Sequence, residues 1–129
     1  MDAPNKQNLI ESFPGLFKLF LDPEYRDFPL HRAISSVPEG WYPLLRSLFE
    51  ELVKLDPDLT LYQVKSEWGT LDVHFKASTE ALAQSVRMIV SKYGYLSQIS
   101  CEVCGENSDK RPGSFPKCDI HKLDNLEER

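Results

Sequence analysis

Long apolar runs are missing from this chain. Nowhere do 18 consecutive residues read as a membrane-spanning helix. Basic clusters are missing too. Against 15 Lys and Arg stand 20 Asp and Glu, for a net charge of −5. The charge is spread as −4 over residues 1–58, +1 over 59–100 and −2 over 101–129. Binding phosphates through a broad basic face needs clustered cations, so nonspecific nucleic-acid binding of that kind is disfavoured. Neither a G-x-G-x-x-G turn nor a Walker-type loop occurs to cradle a nucleotide, and no G-x-S-x-G elbow presents a nucleophilic serine. Cysteine is scarce, three residues in all, whereas a secreted disulfide framework has an even number spread along the chain. The opening MDAPNKQN is polar and acidic, unlike the basic and then apolar start of a secretory signal, so the cytoplasm is the expected compartment.

What is present suits one domain with an ordinary core: 129 residues, 41% hydrophobic and 11% aromatic. Residues 1–12 read as a loose N-terminal segment. Residues 13–100 read as a core of helices and a β-hairpin, and 101–129 as a metal-binding module packed on it. Within the core, Leu16, Phe17, Phe20 and Leu21 point to a short helix from about Pro14, with Ser12 or Phe13 near its cap. A proline-rich connector follows, in which Phe28, Leu30 and Ile34 are expected to pin the chain down. The clearest helix lies in GWYPLLRSLFEELVKLDPD. There Leu45, Leu48, Phe49, Leu52 and Leu55 form a stripe, Pro43 fits the first turn, and Asp56–Pro57 ends it.

Two strands are expected next. Leu71, Val73 and Phe75 alternate with Asp72, His74 and Lys76, the period of a half-buried strand, and Gly69 suits the turn before it. In STEALAQSVRMIVSKYGYLSQIS the residues Leu82, Val86, Ile89, Tyr93 and Leu96 recur at steps of four and three, with Ser78 or Thr79 as cap. The fold class expected is α+β: helices on a β-hairpin or small antiparallel sheet, with a C-terminal treble-clef-like zinc finger.

The finger rests on CEVCGENSDKRPGSFPKCDIH. Cys101-x2-Cys104 and Cys118-x2-His121 are two tight turns, each able to aim two donors at one ion. Together they make a closed, thiolate-rich tetrahedral set, the pattern of structural rather than catalytic zinc. The competing accounts are a chance grouping of thiols and a redox C-x-x-C. The second would leave Cys118 and His121 unexplained. With few apolar groups besides Val103, Phe115, Ile120, Leu123 and Leu126, the last 29 residues need such a staple to order.

The stretches FPGLFK (13–18), GWYPLLRSLFEEL (40–52), QVKSEWGTLDVHF (63–75) and CEVCG (101–105) with its final C-x-x-H are distinctive together. Their combination resembles a group of small phage and prophage proteins with a GWY before a helix, a QVKEKFGGLRFY-like hairpin and a CE-x-CG zinc knuckle. The likeness runs over residues 13–121. It implies this fold and zinc ligation by Cys101, Cys104, Cys118 and His121. No activity comes with it. The chain departs at the hairpin turn, with one glycine where two are usual and Asp72 where arginine is common, so no role of that arginine carries over.

Three functions are expected in descending order. The first is a non-enzymatic, zinc-stabilised module that binds a host or phage protein, for instance inhibiting a defence nuclease (anti-CRISPR-like) by laying an acidic face in a basic channel. Glu39, Glu50, Glu51, Asp56 and Asp58 are the carboxylates for that face, although a solvated helix side is their ordinary fate. Trp68, at the hairpin tip, either folds back on the sheet or anchors a partner. The second is nucleic-acid binding through Lys110, Arg111 and Lys117 in the finger loop. The third, most remote, is a hydrolase using His74 beside Asp72. His31, in the connector, has no assignable partner.

Overall fold

The computed structural model describes residues 1–21, 33–105 and 118. The connector residues Phe28, Leu30 and His31 lie outside these, as do the finger-loop and C-terminal residues Lys110, Arg111, Lys117 and His121.

The element order is α1 (Ala3–Ser12), α2 (Lys18–Leu21), β1 (Ile34–Ser35), a 3₁₀ turn (Glu39–Trp41), α3 (Tyr42–Leu55), β2 (Thr60–Glu67), β3 (Thr70–Lys76) and α4 (Glu80–Gln98). The class is α+β. The sheet is mixed rather than purely antiparallel, in the order β1-β2-β3. β1 pairs parallel to β2 through Ile34 opposite Val64, and β2 pairs antiparallel to β3.

The N-terminal segment corrects an expectation. Residues 3–12 form a helix, not a loose end. Asp2 caps it by accepting from the Asn5 backbone N–H at 2.9 Å, and a proline sits in its first turn. Only Leu9 and Ile10 of the helix are buried. Polar contacts with distant residues do the rest. Glu39 accepts from the Asp2 backbone N–H at 2.6 Å and from the Asn5 side chain, and Asn8 accepts from Arg46 at 3.0 Å and from the Tyr42 hydroxyl. The helix expected from Pro14 is correspondingly displaced. Phe13 ends α1, a turn follows, and α2 starts only at Lys18.

Helix α3 matches its sequence pattern, with Leu45, Leu48, Phe49 and Leu52 buried and a proline in the first turn. Phe13 and Phe17 pack edge-on against Phe49, with centroids 5.6 and 5.5 Å away. In the hairpin Val64 lies opposite Val73 and Leu61 opposite Phe75, on the core side. A bulge between Leu61 and Gln63 throws Tyr62 outward. Two inward residues of β2 are therefore three apart instead of two, and the strand lacks clean alternation. Helix α4 is capped by Thr79 and runs through Gly94 to Gln98. It covers β3, whose Leu71 N–H donates to Ser97 Oγ at 2.9 Å, so that part of the sheet edge is occupied. Among the described residues, no helix is long and apolar enough to cross a membrane.

Candidate metal centre

Helix α4 delivers the chain to the cysteines. Its last turn closes with the Ile99 N–H on Leu96 and Ser97 carbonyls, and Ser100 Oγ donates back to Leu96 O at 2.7 Å. The chain then turns sharply. Gly105 N–H donates to Cys101 O at 2.9 Å, and Gly105 takes φ 82°, a region that favours glycine. Within this turn the Val103 N–H points at Cys101 Sγ, 3.4 Å away.

Cys118 comes to the same place from a position 14 residues beyond Cys104. Its sulfur lies 3.7 Å from Cys104 Sγ, and all three sulfurs lie within 4.8 Å of one another. No disulfide joins them. The first three expected ligands are thus brought together and can hold a metal ion, while the fourth, His121, falls outside the described residues. Burial pushes the Cys101 thiol up, but backbone N–H groups of Cys118, Cys104 and Val103 more than reverse this and bring it down to about 6. Oriented N–H dipoles thus favour its thiolate, the form that binds metal.

The turn is clamped to the core by residues that sequence reasoning missed in this role. Gly40 N–H donates to Glu102 O at 2.7 Å, and the indole N–H of buried Trp41 donates to Ser100 O at 3.0 Å. The approach is so close that a Cβ on Gly40 would lie 2.3 Å from Cys101 O. A Cβ on Gly105 would meet Gly40 O at 2.6 Å. The signal was the GWY before α3. Trp41 is fully buried there, but it is its neighbour's missing side chain that admits the cysteine turn. A cavity of about 510 Å³ lies alongside, lined in part by Pro43, Leu44, Tyr93, Leu96 and Cys104.

The suspected carboxylates do not form one outward face. Glu39 is spent on α1. Glu51 accepts from Lys92 at 3.1 Å and from the Tyr93 hydroxyl, which holds its carboxyl below the usual range. Asp56 is only 1% exposed and ties the end of α3 to the start of α4, accepting from Ser78 N–H at 2.8 Å and Ser78 Oγ at 2.6 Å. Glu50 is exposed and 3.9 Å from Arg46, and Asp58 is exposed beside Lys18, whose ammonium donates to the Asp58 carbonyl.

His74 lies on the outer sheet face, its Nε2 3.0 Å from Asp72 Oδ2, and the cavity beside the cysteines is lined by other residues. Trp68 is 78% exposed. It does not fold back on the sheet. With φ of 54° at Trp68 and 78° at Gly69, the two-residue loop has the I′ form, whose first position favours asparagine, aspartate or glycine.

Compared with known proteins, the chain matches no family model, no curated protein and no solved structure.

Proposed function

We propose that this protein is a non-enzymatic binding module, of the phage and prophage type its motifs resemble, that grips a protein partner through the Trp68 hairpin tip. A structural zinc ion holds its C-terminal segment to the core, with Cys101, Cys104, Cys118 and His121 as ligands in a treble-clef-like finger. The single observation carrying the binding function is Trp68 itself. A large aromatic that is 78% exposed, at a backbone position unfavourable to it, is accounted for by neither packing nor turn preference. Tryptophan is among the side chains that most often dominate protein interfaces.

The zinc reading is supported by the sulfur spacing. Thiolates at about 2.3 Å from a tetrahedral zinc are separated by roughly 3.8 Å, and Cys104 and Cys118 stand at 3.7 Å. The clamp by Gly40 and Trp41 gives the metal a structural use, since fixing the cysteine turn also fixes the entry to α3. The acidic-face mechanism is not carried forward, because Glu39, Glu51 and Asp56 have their oxygens engaged within the fold.

Capture from bacterial lysate with the intact protein and with Trp68→Ala, compared quantitatively by mass spectrometry, tests the binding site. Loss of specific proteins from the variant is expected, and identical recovery of every captured protein refutes the assignment. Elemental analysis of the purified chain tests the metal, with one zinc per chain expected.

A further inference from the structure

We infer that the cysteine centre is an oxidation site, at which a peroxide joins Cys104 to Cys118 and expels the zinc. The inference rests on the zinc reading above and adds a regulation to it. Three observations carry it. Cys104 is exposed and lines the open cavity beside Gly40, Ser47 and Ser100, so a small oxidant reaches its sulfur without unfolding. Cys118 Sγ lies 3.7 Å from that sulfur, so a resolving sulfur is already in place. Cys101, by contrast, is fully buried in the turn clamped by Gly40, which shields it from direct attack.

The chemistry closes in two steps. Cys104 thiolate attacks one peroxide oxygen, the O–O bond breaks, and a sulfenic acid forms with release of hydroxide. Cys118 thiolate then attacks the Cys104 sulfur, the S–O bond breaks, and a second hydroxide leaves as the disulfide forms. Two electrons pass from the sulfurs to hydrogen peroxide. Zinc loses two of its donors at once and leaves as the free dication. Closing the disulfide draws Cys118 toward Cys104, while the Gly40 bracket still holds the Cys101 side of the turn. The C-terminal segment is then tied by a sulfur–sulfur bond instead of by the metal.

The test uses the full-length zinc-loaded chain and hydrogen peroxide. Zinc release is followed with a chromogenic chelator, and cysteine pairing by alkylation and peptide mapping. One zinc released per Cys104–Cys118 disulfide is expected, with reversal by dithiothreitol plus zinc. A second sample, Cys104→His, keeps an imidazole donor for the ion but cannot form the disulfide, so its release should be at least about tenfold slower. Retention of zinc after peroxide oxidation, or a disulfide that contains Cys101, overturns the inference alone. So does equally fast release from Cys104→His. A chain that takes up no zinc overturns both it and the metal reading.

Discussion

Replacing Trp68 by asparagine separates an interaction anchor from a structural side chain. Holding a non-glycine residue at left-handed φ costs roughly 1–2 kcal/mol, and asparagine is among the residues that bear this best. Trp68 sits at φ 54°, so the substitution recovers much of that. Against it stands the burial lost. With the residue 78% exposed, about a fifth of its surface is hidden. At about 25 cal/mol per Å² over roughly 50 Å² this is about 1 kcal/mol at most. The two effects nearly cancel, so Trp68→Asn should change stability by less than about 1 kcal/mol, or about 4 °C in Tm for a chain of this size. Trp41→Ala provides the scale. That side chain is 0% exposed and bonded to Ser100 O, so its loss should cost about 3–5 kcal/mol. Thermal denaturation of zinc-loaded protein by circular dichroism measures both. If Trp68→Asn loses more than about 2 kcal/mol, the side chain supports the fold, and the argument for an anchor fails.

Gly40→Ala should weaken zinc binding as well as the fold, because the new methyl meets backbone atoms of Cys101 and Glu102 at 2.3 and 2.7 Å. A stability loss of about 1–3 kcal/mol with parallel loss in a zinc-competition assay is expected, and unchanged zinc affinity would show that the bracket does not position the ligands. Asp56 sets an acid limit. Burial pushes its carboxyl up, but hydrogen bonds from Ser78 and Asp58 outweigh this and hold it below the usual value of 3.8. Its contribution is therefore present above that value and lost as pH falls through the depressed one, so urea titrations should show a steeper stability loss below pH 3.8 in the wild type than in Asp56→Ala. Tyr93 works in the opposite direction. Burial, then the hydrogen bond and charge of Glu51, raise its hydroxyl from 10.0 to about 12, so an ultraviolet titration that resolves this tyrosine should show it ionising well above 10, and Glu51→Gln should bring it down. Stability from that hydroxyl is present below pH 10 and lost as pH rises toward 12.

How much of this was legible in the residue order depended on whether the deciding contacts were local. The α3 stripe is a repeat within one helix, and burial of Leu45, Leu48, Phe49 and Leu52 follows from it. The alternation of β3 and the Thr79 cap are similarly local. The grouping of Cys101, Cys104 and Cys118 was visible because the Cys101-x2-Cys104 spacing is written in the chain and Cys118 is the one other thiol. Helix α1 escaped because its apolar face is thin and its support comes from Glu39, Tyr42 and Arg46, more than thirty residues away. Its cap at Asp2 was nevertheless a readable signal. The two-residue strand β1 has no pattern of its own and exists through its parallel pairing with Val64 and Lys65.

By itself, then, the sequence determined the helical and strand periodicities, the hairpin turn and the two cysteines of the first donor pair. Each depends on side chains within a turn or two of one another. Tertiary structure alone decided that Gly40 makes room for the cysteine turn, and that Asp56 faces inward to Ser78 while Trp68 faces out. Those outcomes depend on which distant backbones approach within van der Waals range, and a side chain's identity carries no record of the neighbour it will meet.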